Sequence, residues 1–390
     1  KNKNYFILLV LFLSALQIKA QYSFDNVLYG AAYYHEYMPY ERLDEDIRLM
    51  KEAGINAVRM GEFNWGRFEP QEGKFEFSDY RHLLEKLHEN GIAVLLCTPT
   101  AAPPKWMSSR YPEILKSDKT GQPVYDGNRR HCCPSSLKFR EFSRRITEKM
   151  AETFRDSPAI FAWQLDNEIA AEAEHGFCFC DGCAKRFRTH LEMKYRTVEN
   201  LNAAWNGAFW SGDFTSFDEI DPRNFKRVSW KAEYAQFMSS LYTELAYEQR
   251  DILRQVNPSW KITTNSWTSF LPDVAPDEIY PGLDFASCDT YLGNDSLEFS
   301  HSFWDYYRNI RGKRQAFTVG ETGAWNPVTT QKDAYQVLRT WAWDAFAHGA
   351  ENLFYFRWRQ SLMGEESHPS ILPWSGNPGE AYGIISRTIR

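Results

Sequence analysis

Short apolar runs of strand length alternate with longer amphipathic segments along almost the whole chain, and this alternation limits the possible fold more than any other feature. Residues 26–34 read as a first strand, Glu41 to Ala53 as a helix stopped by Gly54, and 55–60 as a second strand. The unit repeats with a helix over 80–90, closed by Gly91, and a strand over 92–97. A helix over 137–154 leads past Asp156-Ser157-Pro158 into the apolar run 160–165. Helices over 184–195 and 229–255 follow, then strands at 262–265, 285–290, 316–320 and 352–357, with helices over 299–310 and 332–347. Eight strands in such units imply a parallel sheet. The expected architecture is α/β, a (β/α)8 TIM barrel over residues 21–390, extended beyond the usual ~250 residues by long loops after strands 3 and 4. A doubly wound open sheet is the alternative, but it lacks the glycine-rich turn after its first strand. Residues 379–390 read as the start of the eighth helix, so the domain is expected to be truncated there and to belong to a longer polypeptide.

Lys1 and Lys3 precede an apolar stretch from Tyr5 to Ile18, and Ile18 and Ala20 hold the −3 and −1 places of a cleavage site. Residues 1–20 therefore read as a secretory signal peptide, too short to span a bilayer comfortably. Export to the periplasm or the outside is expected, with no membrane insertion after cleavage. The formal net charge of −6 and the absence of a Lys/Arg-rich run argue against a nucleic-acid partner. Aromatic residues make up 16% of the chain, and their faces stack on the C–H-rich faces of sugar rings, although most of them serve the core.

In a barrel, strand C-termini converge on one face whatever their separation in sequence. The polar residues at those ends are Glu36, Arg59, Glu62, Asn167, Glu168, Asn265, Tyr291, Glu321 and Arg357. Glu168 follows strand 4 and Glu321 follows strand 7, across the mouth from each other. Two opposed carboxyls suit glycoside hydrolysis: one donates a proton to the leaving oxygen, and the other attacks, or activates water, at the anomeric carbon.

Four segments carry a resemblance: Arg59-Met60-Gly61-Glu62-Phe63-Asn64-Trp65, Glu69-Pro70-Gln71-Glu72-Gly73, residues 98–106 (TPTAAPPKW), and Trp163-Gln164-Leu165-Asp166-Asn167-Glu168. In that order they are similar to the catalytic domain of glycoside hydrolase family 42, the β-galactosidases, and the similarity covers essentially the whole chain after the leader. The resemblance implies a retaining exo-β-galactosidase acting on galactosides or galacto-oligosaccharide ends, with Glu168 as acid/base and Glu321 as nucleophile, ~5 Å apart. It implies that Asn167 bonds the sugar 2-OH, that Arg129 contacts substrate, that Trp210 stacks on sugar and that Tyr291 steadies the nucleophile. Glu365 and His368 match the galactose-binding loop. Trp325 matches the aromatic platform, although it stands closer to Glu321 than in the family. The full-length protein is expected to form a homo-oligomer, as family trimers do.

Cys178-x-Cys180-x-x-Cys183 places three thiols within six residues, and Cys133 completes an S4 set suited to a structural Zn2+. Family members carry the same constellation. Disulfides are the alternative, since export favours them and Cys132 offers a further partner. Cys97 and Cys288 fall in strands and read as buried hydrophobes. No catalytic cofactor is expected. An α-L-arabinopyranosidase or β-glucosidase on the same machinery, or a carbohydrate-binding barrel without turnover, are the competing functions. A zinc hydrolase would need an open coordination position, which four thiolates do not leave.

Overall fold

The computed structural model describes residues 25–38, 41–125, 129–170, 177–224, 228–267, 275–291, 297–312, 314–324, 331–364 and 366–389. Its strands are β1 (Leu28–Ala32), β2 (Ala57–Met60), β3 (Ala93–Cys97), β4 (Ile160–Gln164), β5, β6 (Ala286–Asp289), β7 (Phe317–Gly323) and β8 (Ala350–Phe356), all paired in parallel. β5 is split into Ile262–Thr263 and Ser266–Trp267. Its first half pairs with β4 and its second with β6, so the ring closes through Thr264 and Asn265. The chain is the (β/α)8 barrel expected from the alternation, and its continuous sheet has nine strand segments only because of this split.

Helices cover the outside: α1 (Leu43–Ala53), α2 (Ser78–Glu89), α3 (Leu137–Thr153), α4 (Asp181–Tyr195), α5 (Val198–Trp205), α6 (Val228–Val256), α7 (Leu297–Asn309), α8 (Gln331–Ala347) and α9 (Glu380–Thr388). Each boundary has a local cause. Gly54 ends α1 at φ 78°, where its missing Cβ removes the usual left-handed penalty, and the Ser136 hydroxyl accepts the Phe139 N–H at the start of α3. Because helices cover the sheet, β2 and β6 are buried at every position, which explains why these strands read as runs rather than alternations. No helix among the described residues is long and apolar enough to cross a membrane.

Two cores result. The large one lies between sheet and helices and includes Trp65, Trp163, Trp304, Trp341 and Trp358. The small one, Ala57, Leu95, Ala162, Phe285 and Phe354, is a plug of residues from four strands and the position just before β6. Side chains repeat every second residue along a strand. Two positions further on, Arg59 and Gln164 therefore share the facing of Ala57 and Ala162, one layer nearer the strand C-termini. This step from apolar to polar marks the floor of the mouth. The loops from β3 to α3 and from β4 to α6 are long, as expected, and the second contains α4 and α5.

Candidate active site

Glu168 and Glu321 meet over this floor. Their side chains are 2% and 5% exposed, and a carboxylate oxygen of one lies within 4.8 Å of an oxygen of the other. Glu321 sits inside β7 rather than just past the strand, as the sequence suggested. Cys288 pairs with Val319 but Asp289 pairs with Glu321, so Gly320 is an extra residue, and the register on the β8 side also shifts here. A bulge of this kind turns a side chain away from the regular pleat. Around Glu168 the backbone is in the left-handed region at Asp166 (φ 58°), Glu168 (φ 42°) and Ala170 (φ 60°). Such geometry persists only where the surroundings hold it. Here Thr98 Oγ1 accepts the Asp166 N–H at 2.8 Å, Asp166 Oδ1 accepts the Asn167 N–H at 2.8 Å, and Asn265 Oδ1 accepts the Glu168 N–H at 2.7 Å.

Arg59, fully buried, is the hub. Its guanidinium donates to Glu321 Oε1 at 2.8 Å, to Gln164 Oε1 at 2.9 Å and to the Asn167 side-chain oxygen, and lies 3.2 Å from Glu62 Oε1. The Tyr291 hydroxyl donates to Glu321 Oε2 at 2.5 Å, and Trp267 stacks on the Tyr291 ring with centroids 5.7 Å apart. Asn265 Nδ2 donates to Asn167 Oδ1 at 3.0 Å. With its oxygen bonded twice, Asn167 keeps a buried Nδ2 without a partner, and Glu168 Oε1 is likewise buried and unpaired. Glu168 Oε2 lies 2.8 Å from Arg129. Burial pushes the Glu321 carboxyl up to about 7, and the charge of Glu168 adds to this, while Arg59, the Tyr291 hydroxyl and Arg129 pull the other way. Burial and then Glu321 hold the Tyr291 phenol well above its ordinary range, so it remains a donor.

The structure thus brings Arg129, Asn167, Glu168, Tyr291 and Glu321 together. Trp210 stands 85% exposed, stacked on Phe209, and contacts none of them. His368 is exposed in the loop after β8, which Arg357 holds through Ser361 Oγ and the Glu366 carbonyl; Glu366 in turn lies 3.9 Å from Arg129. Trp325 and Glu365 lie outside the described residues. Arg59, Glu62 and Asn265 were visible in the sequence as strand-end polar residues without a role. Gln164 and Asp289 were missed, because both fall inside the runs read as strands, 160–165 and 285–290, rather than after them.

Cys133, Cys178, Cys180 and Cys183 form a second cluster. Their sulfurs lie within 4.8 Å of one another, Cys133 Sγ at 3.4 Å from Cys183 Sγ and 3.8 Å from Cys180 Sγ. None is disulfide-bonded. Four sulfurs about 2.3 Å from a central ion would form a tetrahedron with edges of about 3.8 Å, so the set fits a thiophilic metal. Cys97 and Cys288 are fully buried, as their place in the strands suggested.

Two buried carboxyls facing each other across the C-terminal mouth of a (β/α)8 barrel are the arrangement that glycoside hydrolysis requires. The chain belongs to glycoside hydrolase family 42, the β-galactosidases, whose model matches residues 32–387. It is 34% identical to the β-galactosidase Bga of Halorubrum lacusprofundi over 92% of this chain and 54% of that protein. It is 36% identical to a β-galactosidase of Thermus thermophilus over 86% of this chain and 56% of that one. Among solved structures, the β-galactosidase of Bacillus circulans sp. alkalophilus superposes with a TM-score of 0.86 at 28% identity, covering 94% of this chain and 56% of that one. The chain spans about half the length of the curated relatives it matches.

The Glu321 shift has a measurable consequence. Its folded pKa, about 7, lies above the ordinary 4.5, so the folded state holds this proton more tightly between those values. Stability is therefore full below about 4.5 and falls as pH rises through 7. Glu321→Gln removes that loss. The variant should gain on the order of 1–3 kcal/mol over wild type between pH 5 and pH 8. Calorimetric melting at both values checks it; a difference in Tm that does not change with pH would contradict the assignment.

Proposed function

We propose that this chain is the catalytic domain of a retaining exo-β-galactosidase that releases terminal β-D-galactosyl residues by double displacement. The observation carrying this reading is the approach of Glu168 and Glu321 within 4.8 Å, close to the ~5–5.5 Å of retaining enzymes and short of the ~6.5–9.5 Å that leaves room for a water in inverting ones. Family membership and the β-galactosidase names of the relatives support galactose as the sugar.

In the first step Glu321 attacks the anomeric carbon, the bond to the aglycone oxygen breaks, and that oxygen takes the proton from Glu168. In the second, Glu168 takes a proton from water, the hydroxide attacks the same carbon, and the ester to Glu321 is released. Arg59 and Tyr291 stabilise the anionic form of Glu321 and fix its attacking oxygen. Asn167 has a donor to spare for the sugar 2-OH, and Glu168 Oε1 is open to the leaving oxygen. Arg129 rests on Glu168 in the free protein. A sugar hydroxyl would draw it away and leave the Glu168 carboxyl facing the leaving oxygen. Trp210, Trp325, Glu365 and His368 would complete the sugar subsites.

The thiolate cluster is proposed to hold a structural Zn2+ on Cys133, Cys178, Cys180 and Cys183, bracing the two long loops. Export, on the leader over residues 1–20, is part of the same proposal.

Glu321→Ala should abolish turnover of 4-nitrophenyl β-galactoside, and azide should restore it as the azide product of inverted configuration; a folded variant that azide does not rescue would remove Glu321 as nucleophile. Glu168→Ala should lose about 10²–10⁴-fold on natural galactosides and far less on aryl galactosides with good leaving groups. Equal loss on both would count against Glu168 as the acid. Elemental analysis should find about one zinc per chain, and a metal-free protein in which the four thiols resist alkylation would point to disulfides.

A further inference from the structure

The double displacement uses two carboxyls, yet a third lies against them. Asp289, the last residue of β6, is fully buried, and its carboxyl oxygen belongs to the same group as those of Glu168 and Glu321, all within 4.8 Å of one another. Its Oδ2 accepts from Asn265 Nδ2 at 2.6 Å. That amide is the junction of the site: Asn265 Oδ1 takes the Glu168 N–H at 2.7 Å and a Gln164 Nε2 hydrogen at 2.9 Å, and Nδ2 also reaches Asn167 Oδ1 at 3.0 Å and Glu321 Oε1 at 3.4 Å. The other oxygen of Asp289 packs against the bulge that presents Glu321. A Cβ at Gly320 would fall 2.8 Å from Asp289 Oδ1 and 2.5 Å from Ser287 Oγ, so no side chain fits between this carboxyl and the residue before the nucleophile.

We infer that Asp289 is a positioning residue that acts as a neutral carboxylic acid, seating Asn265 and the Gly320 bulge without adding a third negative charge beside the catalytic pair. The inference rests on the glycosidase reading for what it positions. Asn265 lies in the gap between the two halves of β5, and its side-chain bonds hold the amide there. A charged anchor would serve as well geometrically. It would also repel both Glu321 and Glu168 inside a mouth that already holds those two carboxyls and Glu62 against Arg59 and Arg129. The groups facing Asp289 agree with the neutral form: burial comes first, then the charges of Glu321 on β7 and Glu168 after β4, and together they hold its carboxyl well above the usual range against Arg59 on β2 and the Asn265 bond. The other titratable groups beside it, Tyr280, Tyr291 and Tyr307, are buried phenols that stay uncharged.

The test compares Asp289→Ala with Asp289→Asn in the full chain. Loss of the anchor in Asp289→Ala should lower kcat on an aryl β-galactoside about 10²-fold with KM changed much less, since misplacement of catalytic groups by about 1 Å costs that much. Asp289→Asn keeps the acceptor and the neutral charge. It should recover most of that loss, with both limbs of the kcat/KM profile where the wild type has them. An Asp289→Asn profile displaced by a pH unit or more would mean that Asp289 is ionised in the working enzyme and would overturn the inference, as would full activity in Asp289→Ala. The infrared difference between wild type and Asp289→Asn at pH 7 gives a reading independent of turnover: the carbonyl band of a protonated carboxyl is expected, and a carboxylate band in its place refutes the neutral form. A protein that hydrolyses no galactoside yet carries the band would defeat the functional reading and leave the protonation of Asp289 decided.

Discussion

A buried guanidinium holds the mouth of this barrel together. Arg59 is completely enclosed, and its donors go to Glu321, Gln164 and Asn167, with Glu62 alongside. An unpaired cation in such a place would be costly, and so would the carboxylates without it. Each therefore requires the other. Strand β2 supplies the cation, β4 and the turn after it the amides, and β7 the carboxylate, so the ion pair forms only when the ring is closed and in register. The fold and the site are for this reason stabilised by the same contacts, and a change that loosened the barrel would scatter the catalytic groups first.

Much of this could be read from the sequence, for identifiable reasons. The eight strands were visible because burial on both faces makes each one a compact apolar run with a clear stop, as Gly54 shows for α1 and Asp156-Ser157-Pro158 for the approach to β4. Glu168 and Glu321 stood out because an acid at the end of such a run is conspicuous, and the barrel rule then puts such ends on one face. What could not be read depends on register. Glu321 lies within β7, and its direction comes from the extra residue at Gly320, which no periodicity reveals. The break in β5 is equally silent: Ile262 to Asn265 reads as one strand, yet the strand parts after Thr263 and resumes at Ser266, and Asn265 becomes the junction of the site because it lies in that gap. Exposure was not readable either. Trp210, which the family resemblance makes a sugar platform, stands 85% exposed beside Phe209, and no periodicity marks that exposure in the sequence.

The polar network is incomplete in a directed way. Several buried side-chain atoms around the carboxylates lack a hydrogen-bond partner among the described residues, and two of them, Asn167 Nδ2 and Glu168 Oε1, belong to adjacent residues at the same strand end. Buried donors and acceptors without partners cost stability, typically about 1–3 kcal/mol each. The strained backbone from Asp166 to Ala170 adds to that cost. A segment held at such expense by Thr98, Asn265 and its own Asp166 side chain is one whose geometry is needed elsewhere, here for a ligand that brings both an acceptor for the amide and a basic oxygen for the acid.

The cysteine cluster fits the same logic at longer range. Cys133 lies in the loop after β3, four residues beyond Arg129, while Cys178, Cys180 and Cys183 lie at the start of α4 in the loop after β4. Loops this long close at a modest entropic cost but are free to wander. Here they are tied to each other. Besides the four sulfurs, the Phe179 N–H donates to the Ser117 carbonyl, the Cys133 N–H donates to the Ile114 carbonyl, and the Tyr234 hydroxyl donates to the Cys178 carbonyl. The segment pinned in this way carries Arg129, which meets Glu168, and Arg130, which lies 3.4 Å from Asp166. The four-sulfur cluster thus lies one short stretch of chain from the Glu168 carboxyl, and the order the loop contacts give that stretch is order given to Arg129.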